Sequence, residues 1–132
     1  MHAAKSYFFG AAADGRNTEG YIVNRIANAG SKPRIALASS NAITALGVVL
    51  SVKHGTVGQQ ATVCVAGECK VRVGAGWTPG TTRPFFASDA NGQAVPVGDG
   101  ANALGYLVFS EGVTPAVGAL CDAIISPMNK ET

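Results

Sequence analysis

Asn28-Ala29-Gly30-Ser31-Lys32-Pro33-Arg34-Ile35-Ala36-Leu37-Ala38-Ser39-Ser40 is echoed by Thr78-Pro79-Gly80-Thr81-Thr82-Arg83-Pro84-Phe85-Phe86-Ala87-Ser88-Asp89. Each copy crosses a polar, turn-rich stretch and enters an apolar segment. These segments are Ala45-Leu46-Gly47-Val48-Val49-Leu50 and Ala103-Leu104-Gly105-Tyr106-Leu107-Val108. Each copy then reaches a glycine, Gly58 or Gly118, and a terminal apolar run, Ala61-Thr62-Val63-Cys64-Val65 or Cys121-Asp122-Ala123-Ile124-Ile125. Self-similarity at a period of roughly 50–60 residues marks one supersecondary unit used more than once. The sequence therefore predicts a duplicated β motif closing on itself, with units at about 20–71 and 72–126 inside one domain, 18–132. The shared positions are glycines, small residues and aliphatics, so what repeats is scaffold.

Working outward, short apolar runs separated by turn chemistry predict strands at residues 34–38, 46–53, 60–65, 69–73, 83–87, 104–109 and 120–126. Between them lie Gly55, Gly58, Gly67, Asn91-Gly92, Asp99-Gly100 and Thr114-Pro115. Asn91-Gly92, between Ala87 and Val95, is a strong tight-turn signal, because both residues accept positive φ. Residues 20–27 place Ile22 and Ile26 on one helical face, but β-branched content and alignment with Lys70-Val71-Arg72-Val73 make this segment a strand. A single helical turn near residues 40–44 is the one exception to an all-β reading. Residues 1–17 lie outside the repeat as an extended N-terminal arm. Its Tyr7-Phe8-Phe9 cluster needs a surface to dock on, either its own barrel or a neighbouring subunit.

At 132 residues the chain is one domain, with 47% apolar residues. Only 14% of residues are charged, against about 25% in average soluble domains. So neutral a surface favours burial in an assembly over a lone monomer coated in Ser, Thr, Asn, Gln and Gly. The net charge of +2 comes without a dense basic stripe, which argues against nucleic acid as a partner. The longest apolar run is far shorter than a membrane span, and residues 1–9 lack the apolar core of a signal peptide. A product made in a cytoplasm, with no membrane partner, is the expectation.

Three cysteines are present. Val63-Cys64-Val65-Ala66-Gly67-Glu68-Cys69-Lys70-Val71 reads as a hairpin with Ala66-Gly67 at its tip, so that Cys64 faces Cys69 in a non-hydrogen-bonded pair. Cα atoms approach to about 4.5 Å in such a pair, at the short edge of what a disulfide tolerates. A Cys64–Cys69 disulfide is sterically allowed; two reduced thiols on one face are the alternative, favoured by a cytosolic origin.

Catalytic chemistry is poorly supplied. His2 and His54 stand in no nucleophile setting, and no Gly-x-Ser-x-Gly elbow occurs. Cys64-x₄-Cys69 lacks the second ligand pair of a structural zinc site. Gly74-Ala75-Gly76-Trp77-Thr78-Pro79-Gly80 follows a strand, as a dinucleotide fingerprint does. Pro79-Gly80 and the β-like Arg83-Pro84-Phe85-Phe86 bar the helix that such a motif requires. Those glycines instead let the chain change sheets while Trp77 plugs the core; stacking on a sugar is the functional alternative. Asp89-x-Asn91-Gly92 is a turn, since its glycine comes too early for a calcium loop and no Glu closes it. No metal, cofactor or catalytic residue is expected.

The run Val73-Gly74-Ala75-Gly76-Trp77-Thr78-Pro79-Gly80, followed by Phe85-Phe86-Ala87-Ser88-Asp89-Ala90-Asn91-Gly92-Gln93-Ala94-Val95, resembles tailed-phage capsid decoration (cement) proteins. Ala103-Leu104-Gly105-Tyr106 and residues 117–125 match the close of that pattern, and the resemblance extends over about residues 20–126. It implies a small β-barrel or β-tulip and a non-enzymatic, head-stabilising role on the virion. It also implies two partners, the major capsid protein and the chain itself as a homo-oligomer, often a trimer. Tyr7, Phe8, Phe9 and Trp77 are then the expected capsid or subunit contacts, because aromatic residues dominate interface hot spots. The rival for each is its own core. A glycan-binding or adhesive β-module displayed on a virion is the alternative function.

Overall fold

The computed structural model describes residues 2–9, 19–30, 32–38, 45–55, 58–77, 84–97, 103–108 and 116–126. Its elements are β1 (His2–Phe9), β2 (Ile22–Ala29), β3 (Lys32–Leu37), β4 (Ala45–Gly55), β5 (Gly58–Arg72), β6 (Phe85–Ser88), β7 (Ala94–Pro96), β8 (Gly105–Val108) and β9 (Leu120–Ile125). Among the described residues there is no helix, so the all-β expectation holds. Residues 10–17 of the arm, the turn expected near 40–44, and the Asp99-Gly100 and Thr114-Pro115 turns lie outside the described residues. So do the side chains of His2 and His54.

All nine strands form one sheet in the order β1-β3-β2-β4-β5-β9-β8-β6-β7, and an added β1–β5 pairing closes the first five strands into a ring. Every pairing in the ring is antiparallel except β1 with β3. Closure removes the free edges that would otherwise template association with other chains. Alternation points one face of each strand inward, so Tyr7, Val23, Ile35, Val49, Ala61 and Val63 fill the ring with one or two side chains per strand. The first half of the expected arm is therefore a strand of the chain's own sheet. Tyr7 packs against the ring interior, with Ala61 as its register partner on β5.

β5 corrects the hairpin expectation. Residues 58–72 run as one strand, with no reversal at Ala66-Gly67. Its first half pairs with β1 and β4, and its second half pairs with β9. The sequence signal misled because Gly67 does adopt positive φ, 91°. That glycine lies beside a bulge instead of at a hairpin tip: the register opposite Ala3 and Ala4 skips from Ala66 to Cys64, leaving Val65 as the extra residue. One inserted residue exchanges the two faces of a strand. Before the bulge Ala61 and Val63 face the ring while Cys64 alternates to a second core; beyond it Val71 and Val73, odd-numbered like Ala61 and Val63, face that second core too.

That second core lies between the outside of the ring and the sheet β9-β8-β6-β7. Ile22, Val48 and Cys64 come from the ring; Val71, Trp77, Phe86, Leu104, Leu107 and Ile125 meet them. The sheet curls until Val73, just past β5, bridges Ala94 in parallel, and the Gly74 amide donates to the Ala94 carbonyl at 2.7 Å. Asn91-Gly92 forms the predicted turn between β6 and β7. Asp89 Oδ1 accepts from the Asn91 and Gln93 amides at 2.7 and 3.0 Å, and the Ile22 amide donates to the Gly92 carbonyl at 2.8 Å.

The two Ala-Leu-Gly segments do the same local work. Gly47 lies against the Cys64 carbonyl of β5, and Gly105 lies against the Ile124 carbonyl of β9, each too close for any Cβ. Glycine at both positions lets β4 and β8 approach the last strand of their own half. Strand order differs between the halves, since β2 separates β3 from β4 whereas β6 pairs directly with β8.

Candidate functional site

β8 alternates strictly. Gly105 and Leu107 are buried while Tyr106 and Val108 point outward, 39% and 50% exposed. Antiparallel register sets Tyr106 beside Phe85 of β6 and Ile124 of β9, and Ile124 beside Glu68 of β5. A second row runs Val108, Asp122, Lys70. The outer face of this sheet thus carries a strip of aromatic and aliphatic side chains bordered by charge. Exposed apolar strips rimmed by polar groups mark interaction surfaces.

The charged border is ordered. Lys70 Nζ lies 3.0 Å from Asp122 Oδ1, with both side chains largely in solvent. The hydrogen bond to Asp122, reinforced by its charge, raises the Lys70 pKa. Arg72 ties the border to the ring: its Nη1 donates to the Gly118 carbonyl at 2.9 Å, its Nε to the Glu19 carbonyl at 3.2 Å. Its guanidinium also lies 5.8 Å from the Tyr21 ring centroid. Beside the strip opens a groove of about 520 Å³. Among the described residues that line it, Glu19, Glu68 and Asp122 stand with the single ammonium of Lys70, while Leu50, Val108 and Ile124 give it apolar walls. Among these described residues three carboxylates face one ammonium, a lining complementary to basic groups.

The aromatics singled out in the sequence are not gathered into one patch. Tyr7 is 5% exposed inside the ring, with Arg25 over its face at 5.4 Å, and Phe9 packs against the same cluster. Phe8 is half-buried. Trp77 is 7% exposed in the second core, its Nε1 donating to the Ala94 carbonyl at 3.0 Å. Cys64 and Cys69 are free thiols on the second core, with the Cys64 sulfur 3.9 Å from the carbonyl of Glu68, the residue before Cys69. Among the described residues no three His, Cys, Asp or Glu side chains converge as a metal site would require. Sequence reasoning missed Tyr106, Val108 and Ile124. The alternation within Gly105-Tyr106-Leu107-Val108 was the available signal, hidden because every member of the run is apolar or glycine.

The fold defines a class: an all-β module in which a closed five-stranded ring shares its longest strand with a curled outer sheet. No protein-family model matches the chain, and no curated protein is similar to it. Among solved structures the chain is similar to the N base of the head fiber gp8.5 of bacteriophage phi29. The likeness covers 96% of each chain with a TM-score of 0.64 at 16% sequence identity, and at that identity it is a likeness of fold. The neighbour is a phage head protein, the same broad class that the resemblance in residues 73–95 names.

Proposed function

We propose that this chain is a non-enzymatic component of a tailed-phage virion that decorates the outer surface of the head. It docks through the strip formed by Phe85, Tyr106, Val108 and Ile124 onto the major capsid protein. It bridges neighbouring capsid subunits there and acts as a homo-oligomer, with a trimer as the expected form. The observation that carries the reading is the match of fold, across nearly the whole chain, to the base of a phage head fiber. The low content of charge and the exposed strip supply the surface chemistry.

The mechanism is mechanical. A partner that binds only the assembled lattice stabilises that lattice by mass action. Closed self-association multiplies small contacts, because each engaged copy raises the effective concentration of the next. The closed ring offers no strand edge of its own for pairing with other chains. No observation favours the glycan-binding alternative: it rested on Trp77, whose indole is buried and whose N–H is engaged within the fold.

The test is to add purified protein to phage heads lacking it and to follow pelleting. The strip reading expects the wild type to pellet with heads and a Tyr106→Asp, Val108→Lys double variant, unchanged in melting temperature, to bind at least tenfold more weakly. Equal pelleting of the two would remove the strip from the account. No pelleting of either would remove the head-surface role.

A further inference from the structure

The bulge in β5 does more than exchange the faces of the strand. In a regular strand residues 64 and 69 would stand about 16 Å apart on opposite faces. Here Val65 is the extra residue and Gly67 turns the chain at φ 91°. The backbone consequently wraps around one sulfur: the carbonyls of Ala66, Gly67 and Glu68 lie 3.3, 3.9 and 3.9 Å from Cys64 Sγ. Cys69 follows Glu68 directly, so its side chain leaves the backbone beside the same sulfur, and burial together with the neighbouring Cys64 raises its pKa. Cys64 is fully buried in the second core, whereas Cys69 packs on that core and also lines the groove. The third thiol is directed elsewhere, with Cys121 Sγ 3.6 Å from the Val108 carbonyl and 3.5 Å from its neighbour Asp122's carbonyl.

We propose that Cys64 and Cys69 are a redox pair that closes into a disulfide within the single strand β5, across the bulge that joins the ring to the outer sheet. The oxidant is a small-molecule disulfide reaching Cys69 through the groove. The Cys69 thiolate, its proton lost to solvent, attacks one sulfur of the oxidant, whose S–S bond breaks to release one small thiol. Cys64, deprotonated in turn, attacks the Cys69 sulfur of the mixed disulfide and expels the second small thiol. Two protein thiols are oxidised, and one small disulfide is reduced to two thiols.

Both protein thiols are held protonated by burial, which pushes their pKa values up. Exchange proceeds through the thiolate, so closure is slow at neutral pH and accelerates about tenfold per pH unit. The product clips residues 65–68 and fixes the joint between the two parts of the fold. The inference rests on the geometry of β5 alone and stands whether or not the head-surface reading holds. On a particle that leaves a reducing cytoplasm, closure would follow release.

The experiment treats the folded, purified full chain with oxidised glutathione at pH 8 and at pH 9. It then quenches in acid, alkylates under denaturing conditions and maps the products by mass spectrometry. The wild type is expected to yield a peptide cross-linked between Cys64 and Cys69, with two hydrogens lost there, and Cys121 recovered outside the cross-link, alkylated or as a glutathione adduct. Closure at pH 9 should be about tenfold faster than at pH 8. Cys64→Ser is expected to stop at a glutathione adduct on Cys69, and Cys69→Ser to gain no adduct on Cys64. Mapping of the wild type decides the matter even where a variant fails to fold. Three alkylated cysteines after prolonged treatment, or a cross-link involving Cys121, would overturn the proposal.

Discussion

Replacing Gly105 by Ala tests whether the Ala-Leu-Gly segments hold the strands together as described. A Cβ on Gly105 would run into the Ile124 carbonyl and come within 3.0 Å of the Ile124 carbonyl carbon and of Ile125 Cα. All three atoms are backbone, so no side-chain rotation relieves the clash; β8 and β9 must separate. Overpacking of this kind costs about 3 kcal/mol, the upper part of its usual range. At about 3–4 °C per kcal/mol for a domain of this size, the melting temperature should fall by about 10 °C. Gly47→Ala should behave alike, since its Cβ meets the Cys64 carbonyl in the same way. Gly30→Ala is the control: φ is 61° and nothing lies within 4 Å, so only the left-handed backbone is penalised, at roughly 1 kcal/mol. Urea unfolding of the three variants, with slopes compared to the wild type, measures the differences. If Gly105→Ala loses no more than Gly30→Ala, the close approach of β8 to β9 is wrong.

Two further outcomes follow from the cores. Trp77→Ala should cost about 4 kcal/mol by urea unfolding, because it empties a buried site and leaves the Ala94 carbonyl without its indole donor; Trp77→Phe should cost less than half of that. Cys64 and Cys69 hold pKa values above the ordinary 9.0 through burial, so the native state keeps protons that the unfolded chain releases. That stability is fully present below pH 9 and is lost as pH rises beyond it; under reducing conditions the melting temperature of the wild type should drop above pH 9 more steeply than that of Cys69→Ser.

Much of the fold was legible because closely spaced turn residues and period-2 apolar runs leave few options. Ile22 to Ala29 is a strand despite the helical spacing of Ile22 and Ile26, because Ile22 serves the second core while the alternate residue Val23 serves the ring. Asn91-Gly92 was readable from conformational preference alone. β5 was not: Ala66-Gly67 has the composition of a hairpin tip, and pairing with three other strands carries the chain on past its bulge without reversal. The aromatics were legible as important but not as to where they would go. Tyr7 and Trp77 are spent on the two cores, a matter of tertiary context. The surface strip was hidden for the opposite reason, since an apolar strand with one solvent face reads the same as one buried on both.

The most direct test of the head-surface role is quantitative mass spectrometry of purified virions of the phage whose genome encodes the chain. The account predicts the protein on intact particles in a fixed ratio to the major capsid protein, removable without loss of the head's DNA under mild conditions and restored by adding it back. Its absence from purified particles, while it accumulates free in the infected cell, would contradict the account.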